Sequence, residues 1–389
     1  MKKKTVTVLG STGSVGSSVI KVLAEHKDEF KVNALVANQN ATVLAEQAKM
    51  LGAGMAVIAD DLKYSSLRGA LFGTDTLVAS GQRGINEVTA MDTDITVLAI
   101  AGAAGLKPAM DVIKKGKELA LATKEVLVCA GALVMRSAKL HDCKILPIDS
   151  EHCAIFQTLN NEMKDRGMVD SLLLTSSGGP FRDKDFDFMK TATPQDALQH
   201  PVWSMGAKIS IDSATMMNKG LEIIEAHHLF NIPPEKIRVV VHPESIIHSG
   251  VYYVDGSLLV QMGYPDMRVP IAYALGYPDR ITSGVQNLDL AALGKLTFFE
   301  PDVSKFPALE LARAALKAGD GATNVLNAAN EVAVKAFLDG KIHFLGITKI
   351  VESILEQMGN PQMLGVYEVL EIDKEARERT ERLIAGISR

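Results

Sequence analysis

Cysteine is scarce in this 389-residue chain: Cys129, Cys143 and Cys153 are three in number and lack metal-motif spacing. An odd count without a pattern argues against a disulfide framework and favours a reducing compartment. No large excess of either charge exists, because 41 basic residues face 46 acidic ones and the formal charge is −5. Without a global positive field, neither nucleic acid nor an anionic membrane is an expected partner, and any anionic ligand must be met by local groups. Long apolar runs are missing too. The basic start Met1-Lys2-Lys3-Lys4 resembles an export signal, but the apolar stretch after it stops at Gly10, and Ile95 to Leu106 is too short to span a bilayer. A cytoplasmic protein is expected. Hydrophobic residues make up 47% of the chain and aromatic ones 5%, which suits a soluble protein with large cores and two or three domains.

Short β-branched runs alternate with helical patterns at Thr5 to Leu9, Val32 to Val36, Met55 to Ala59, Ile95 to Ile100, Glu118 to Ala122 and Lys144 to Ile148. Strand, helix, strand, repeated, predicts an α/β fold with a parallel sheet covered on both faces, a Rossmann-type dinucleotide-binding domain over 1–149. The first strand runs into Gly10-Ser11-Thr12-Gly13-Ser14-Val15-Gly16 and then a helix expected from Ser17 to His26. Glycines let the backbone approach a ligand, and the helix start offers N–H groups to a pyrophosphate. The spacing GxxGxxG departs from the commoner GxGxxG, and a tight turn that binds nothing would look similar. The second strand ends at Asn38-Gln39-Asn40 with no acid to hold a free ribose hydroxyl, which leans away from NAD.

Beyond Asp149 the pattern changes to mixed strands, glycine-rich turns and one long helix expected from Asp212 to Phe230. A central α+β catalytic and dimerisation domain over 150–290 is predicted, with strands at Arg238 to Val241, Ile246 to Val254 and Ser257 to Met262 that are able to pair between subunits. Ser176 to Thr193 opens on Ser-Ser-Gly-Gly-Pro and carries Phe181, Phe186 and Phe188, which suggests a mobile lid within 176–206. From Phe306 the periodicity is helical, broken at Gly319-Asp320-Gly321 and near Gly359-Asn360-Pro361, so a small helical bundle is expected over 305–389.

Asp149-Ser150-Glu151 follows the strand ending at Ile148, and in an extended segment both carboxylates point the same way. With Glu222 they form an all-oxygen set that suits Mg²⁺ or Mn²⁺; acids at a solvated helix start are the plainer alternative. Asn218, Lys219 and Glu222 fall within about one helical turn, where an amide and an ammonium can meet a phosphate while the carboxylate meets a metal. Lys124, in Thr123-Lys124-Glu125, stands at the sheet edge where α/β proteins bind ligands and is able to donate to a developing alkoxide. Trp203, the only tryptophan, lies in His200-Pro201-Val202-Trp203-Ser204-Met205-Gly206 and either covers a ligand or packs on a core.

Taken in order, these segments resemble the motif set of the 1-deoxy-D-xylulose 5-phosphate reductoisomerase family. The set comprises the Gly10 to Gly16 turn, Thr123-Lys124-Glu125, Pro147 to His152, Ser177-Gly178-Gly179-Pro180-Phe181-Arg182, His200 to Gly206 and Asp212 to Glu222. His242-Pro243-Glu244-Ser245, Gly263 to Arg268 and Asn327-Ala328-Ala329-Asn330-Glu331 extend it. The resemblance implies NADPH and a divalent metal, Mg²⁺, Mn²⁺ or Co²⁺, a small sugar phosphate as substrate, and a homodimer. It implies that Asp149, Glu151 and Glu222 hold the metal, and that Ser177, Ser213, Asn218 and Lys219 hold the substrate phosphate. Lys124, Ser150 and His200 would meet the carbon chain, with Trp203 and Met205 closing over it. Thr12, Gly13, Ser14 and Val15 would meet the cofactor diphosphate, Asn38, Gln39 and Asn40 the adenosine side, and Thr123, Glu125 and Gly206 the nicotinamide side. Many family members carry Asn in place of Thr123 and Gly-Lys-Asn in place of Asn38-Gln39-Asn40, so a weaker NADP preference is expected here. The competing readings are a metal-free NAD(P)-dependent semialdehyde-type dehydrogenase, with Cys153 as its nucleophile, and a non-catalytic NADPH-binding regulator.

Overall fold

In the computed structural model, residues 3–159, 166–203 and 205–387 are described. Seven strands form one parallel sheet: β1 Lys4–Leu9, β2 Phe30–Ala37, β3 Met55–Ile58, β4 Leu77–Ser80, β5 Ile95–Leu98, β6 Glu118–Leu121 and β7 Lys144–Pro147. The connecting helices are α1 Ser14–Glu25, α2 Ala41–Leu51, α3 Tyr64–Ala70, α4 Gly81–Ala90, α5 Leu106–Ile113 and α6 Glu125–Leu140, and α7 Ser150–Thr158 follows the last strand. Strand order is β4-β3-β2-β1-β5-β6-β7, so the chain reverses its direction of travel between β1 and β5. Such a reversal opens a crevice at the carboxyl ends of the strands, where α/β sheets bind ligands. The central strands are apolar throughout because helices cover both faces.

Six of these strands coincide with runs visible in the sequence. The seventh, β4, is a part-exposed edge strand whose burial does not alternate, so it carries no periodic signal. Helix α1 begins at Ser14, earlier than expected, directly on the glycine turn.

The chain continues through β8 Val169–Ser176, α8 Phe186–Thr191, α9 Pro194–Leu198, α10 Ala207–Ala214, α11 Met217–Phe230, β9 Ile237–Val241, β10 Ile247–Tyr253 and β11 Leu258–Met262. It ends with α12 Arg268–Gly276, α13 Leu290–Leu293, α14 Ala308–Ala318, α15 Asp320–Leu338, α16 Gly346–Met358 and α17 Val366–Ile387. The second sheet has the order β11-β10-β8-β9, antiparallel except between β8 and β9.

Two compact units result. The first comprises Met1–Thr123, Val134–Cys153 and Asp266–Gln286, and the second comprises Lys124–Leu133, Ala154–Pro265 and Asn287–Arg389. The terminal helices belong to the second unit, whereas Asp266–Gln286, expected in the central domain, packs with the first.

One expectation about the second unit needs correction. The helix expected from Asp212 to Phe230 is two helices, because Met216 adopts a left-handed backbone (φ 60°) between α10 and α11. The Thr215 hydroxyl accepts from Met217 N (3.3 Å) and reaches Ile211 O and Asp212 O (both 3.2 Å), satisfying polar groups at the break. The segment Ser176 to Thr193, expected as part of the lid, is packed at several points. Phe181 is fully buried, edge-on to Phe188 and Phe344, and Asp185 caps α8. Ser204, inside the expected lid, lies outside the described residues.

Candidate active site

In the first unit, the residues expected to form a site lie at the carboxyl edge of the parallel sheet. A side chain at Gly10 (φ 94°) would place its Cβ 2.4 Å from Ala99 O, and one at Gly16 would come 2.1 Å from Gly10 O. Only glycine permits the turn between β1 and α1 to close this tightly. Gly13 is the N-cap of α1 and no side chain caps that helix end; Gly13 N itself donates to Gly10 O (3.2 Å), which leaves the N–H groups of Ser14 and Val15 without an intrahelical partner. Gln47 Nε2 braces the same turn by donating to Ser11 O at 3.1 Å. Asn38, Gln39 and Asn40 are exposed at the end of β2. Asn40 has a structural task as well, its Oδ1 accepting from Val43 N (3.1 Å) to cap α2. Thr123 is buried and its hydroxyl donates to Ile100 O at 2.8 Å, so its proton points into the sheet end.

Asp149-Ser150-Glu151 is not extended. Ser150 opens α7, Asp149 O accepts from Cys153 N (2.8 Å), and Glu151 sits in the first helical turn with its Oε2 accepting from Ser150 Oγ. The geometric reason expected for the two carboxylates therefore fails. Instead the end of β7 delivers both acids to a helix start, where the macrodipole favours negative charge. His152 Nδ1 lies 3.8 Å from Asp149 Oδ2.

The second unit assembles a buried charge cluster. Helix α11 presents Asn218, Lys219 and Glu222 at i, i+1 and i+4, so its first turns face one point. Glu222, 1% exposed, accepts from Asn218 Nδ2 (2.5 Å), from Lys124 Nζ (3.1 Å) and from Lys219 Nζ. Lys124 Nζ also donates to Asn218 Oδ1 at 2.9 Å. Two ammonium groups this deeply buried, Lys124 at 6% and Lys219 at 3% exposed, are expensive unless paired. Glu222 is a partner that both ammonium groups share.

A second group of predicted residues meets in the same unit. His200 Nδ1 accepts from Trp203 N (2.8 Å) and Val202 N (3.2 Å), which fixes the neutral ring with its proton on Nε2. Nε2 then donates to Ser177 Oγ at 2.9 Å. Burial pushes the His200 imidazole down to about 4, in keeping with a ring that stays neutral. Gly179 (φ 70°) brings the loop after β8 against α10: a Cβ there would lie 2.4 Å from Ser213 O, so Ser177 and Ser213 are drawn toward one another. The Trp203 ring lies 6.2 Å from His248, half-buried together with Met205. Gly206 is the exposed N-cap of α10.

Several polar residues here escaped sequence reasoning. Lys208 bridges Glu125 Oε1 and Asp212 Oδ2, each at 2.9 Å, and Asn330 Nδ2 donates to Asp212 Oδ1 at 2.7 Å. Burial opposes the charge on Glu125, but Lys208 outweighs it and holds the carboxyl below its usual range. The i, i+4 spacing of Lys208 and Asp212 was the available signal.

The three cysteines are buried. Burial pushes Cys143 up to about 11 and Cys129 well above the ordinary thiol range, the opposite of an activated nucleophile. Among the described residues no helix is long and apolar enough to cross a membrane.

Three family models match in order along the chain: 1-deoxy-D-xylulose 5-phosphate reductoisomerase over residues 6–131, its C-terminal domain over 145–230, and the DXP reductoisomerase C-terminal domain over 262–379. The chain is 48% identical to the reductoisomerase of Rhodospirillum centenum, covering 98% of this chain and 95% of that one. It is also 48% identical to that of Zymomonas mobilis, covering 99% and 98%. The solved Zymomonas mobilis reductoisomerase in complex with NADPH superposes with a TM-score of 0.93 at 47% identity, over 98% of this chain and 99% of that one. A further reductoisomerase structure, in complex with NADPH, fosmidomycin and magnesium, gives 0.94 at 42% identity over 99% of both chains. None of these matches favours the metal-free dehydrogenase or the non-catalytic regulator. By three consecutive family models and identity extending over nearly the whole length, this chain belongs to the 1-deoxy-D-xylulose 5-phosphate reductoisomerase family.

Proposed function

We propose that the protein rearranges 1-deoxy-D-xylulose 5-phosphate and reduces the product to 2-C-methyl-D-erythritol 4-phosphate, using NADPH and a divalent cation. The observation that carries this reading is the buried cluster of Lys124, Asn218, Lys219 and Glu222, which joins two ammonium groups, an amide and a carboxylate at one point. The residues fit both cofactors. Asp149, Glu151 and Glu222 supply only hard oxygen donors, the chemistry of a Mg²⁺, Mn²⁺ or Co²⁺ site. The uncapped start of α1 and the glycine turn suit a diphosphate. When bound, the cation supplies Lewis-acid stabilisation to the neighbouring oxygens of the hydroxyketone, and NADPH supplies the hydride.

The chain's own residues do the rest. Ser177, Ser213, Asn218 and Lys219 take the substrate phosphate. In doing so Asn218 and Lys219 give up their bonds to Glu222, which makes that carboxylate available as a ligand. Lys124 donates to the oxygen on which charge develops while a carbon–carbon bond breaks and re-forms to give a branched aldehyde phosphate. His200, neutral with Nε2–H as donor, and Ser150 orient the carbon chain, and Trp203 and Met205 exclude water above it. Thr12, Gly13, Ser14 and Val15 receive the cofactor diphosphate, Asn38, Gln39 and Asn40 the adenosine side, and Thr123, Glu125 and Gly206 the nicotinamide side. The protein works as a cytoplasmic homodimer, the second copy lying along edge strand β11, where Leu258 and Leu259 are exposed.

The test is NADPH oxidation by the purified protein, with the product identified by NMR. One NADPH consumed per deoxyxylulose phosphate, only with divalent metal present, and methylerythritol phosphate as product, is the expected result. Turnover insensitive to chelator, or oxidation of NADPH without the sugar phosphate, would contradict it.

A further inference from the structure

Helix α6 carries Lys124 immediately before its first turn, yet it is not one rigid rod. Ala130 has non-helical angles (φ −152°, ψ 36°), and residues Lys124–Leu133 cluster with the second unit while Val134 onward clusters with the first. Side chains of its own unit hold the segment bearing Lys124. Helix α15 secures its far end: Thr323 Oγ1 donates to Val128 O (2.7 Å), Asp320 Oδ2 accepts from Ala132 N (2.9 Å), and Asn327 Nδ2 lies 3.4 Å from Cys129 Sγ.

At the near end, besides the bonds of Lys124 itself to Asn218 and Glu222, one tie is Lys208. Its ammonium reaches Glu125, the residue after Lys124, and Asp212, the residue before Ser213. Asp212 is 1% exposed and is itself fixed by Asn330 of α15. Burial opposes the Lys208 charge, but Asp212, Glu125 and Glu331 outweigh it and keep the ammonium above its usual range. It does not touch the Glu222 cluster through any bond found among the described residues.

We propose that Lys208 is a positioning residue for the reaction: by gripping Glu125 and Asp212 together it fixes Lys124 and Ser213, their chain neighbours, relative to one another. A misplacement of about 1 Å of a reacting group can cost roughly 10²-fold in rate, so a clamp at this point governs the chemical step more than binding. The inference rests on the proposed reaction.

The experiment compares Lys208→Met, Lys208→Arg and Asp212→Asn with wild type, measuring kcat, KM for deoxyxylulose phosphate, NADPH affinity by fluorescence, and melting midpoint. Lys208→Met should lower kcat about 10²-fold while KM and NADPH affinity stay within about threefold. Lys208→Arg should recover most of the loss, since a guanidinium can span both carboxylates. Asp212→Asn, which keeps an acceptor for Asn330, should lower kcat in the same sense but less. A Lys208→Met enzyme within about threefold of wild-type kcat overturns the proposal, as does an arginine variant no better than methionine. If Lys208→Met fails to fold, Asp212→Asn decides, and an unaltered kcat there overturns the proposal. A wild type without turnover of the sugar phosphate sinks the proposed reaction instead, whereas an active wild type with an indifferent Lys208→Met sinks the clamp alone.

Discussion

In the proposed reading, the cofactor side of the first unit is made of backbone and neutral groups, whereas the second unit offers buried charge. Thr12 to Val15 and Asn38 to Asn40 lie at strand ends, where glycine geometry and a helix start do the work and no ion pair is involved. Lys124, Lys219 and Glu222 instead form a buried group of charges hydrogen-bonded to one another. The difference teaches where each unit is vulnerable: the first to a change of backbone shape, the second to a change of charge. A backbone site tolerates polar substitution at its rim. A buried charge cluster does not, because removing one member strands the others.

The largest effect should come from the second unit. Glu222→Gln removes one anionic oxygen ligand and leaves two ammonium groups facing an amide. With several kcal/mol of charge stabilisation at stake, turnover should fall on the order of 10³-fold. Near wild-type steady-state rates at ordinary magnesium would remove Glu222 from the site. Lys219→Met should weaken substrate binding, yet tighten divalent-metal binding to the substrate-free protein roughly tenfold, about the worth of one charge-assisted hydrogen bond no longer competing for Glu222. Paramagnetic resonance of added Mn²⁺ reads this directly, and unaltered or weaker metal binding would show that Lys219 does not compete.

Acid should separate the units. His200 and His228 are pushed down to about 4 by burial, below their ordinary 6.5. As pH falls below 6.5 the unfolded chain takes up protons the folded second unit refuses, so stability is lost by up to about 1.4 kcal/mol per pH unit for each. His26 in the first unit behaves oppositely. Burial opposes its charge, but its hydrogen bonds to Glu29 (2.6 Å) and to Thr282 O (2.7 Å) raise it above 6.5. Its contribution is full below the unfolded value and is lost as pH rises through the folded one. Hydrogen exchange corrected for intrinsic rates should therefore show the second unit loosening between about pH 7.5 and 5.5 while the helix bearing His26 does not. Equal loosening in both would break the comparison.

The smallest effect lies at the rim of the first unit. Gln39→Lys adds a cation where NADPH and NADH differ, and a surface charge-assisted contact should lower the NADPH Michaelis constant by about three- to tenfold, less in high salt. An unaltered ratio of the two cofactors would place recognition of the 2′-phosphate elsewhere.

The contrast also explains what was legible. Strands such as Met55–Ile58 and Lys144–Pro147 are local apolar runs bounded by turns, and the Gly10 to Gly16 turn announces itself because only glycine fits. Strand β4 was hidden because an exposed edge needs no apolar pattern. The break at Met216 was hidden for another reason: every residue from Asp212 to Phe230 is compatible with helix, and the left-handed turn is imposed by tertiary bonding around Thr215. Asp149 and Glu151 were found by a wrong argument, extended geometry, where a helix start supplies the arrangement. The Lys208–Glu125 pair was hidden because the two stand 83 residues apart in sequence and only folding brings them together; the i, i+4 spacing to Asp212 was the one local signal.

The measurement that tests this division most directly is a calorimetric titration of NADPH into wild type, Glu222→Gln and Gly16→Ala. A Cβ at position 16 would sit 2.1 Å from Gly10 O, so the turn between β1 and α1 must change shape. The prediction is that wild type and Glu222→Gln bind NADPH within about twofold of each other, while Gly16→Ala loses at least roughly 10²-fold in affinity. Binding that collapses in Glu222→Gln, or survives intact in Gly16→Ala, would contradict a cofactor site made of backbone and a chemical site made of buried charge.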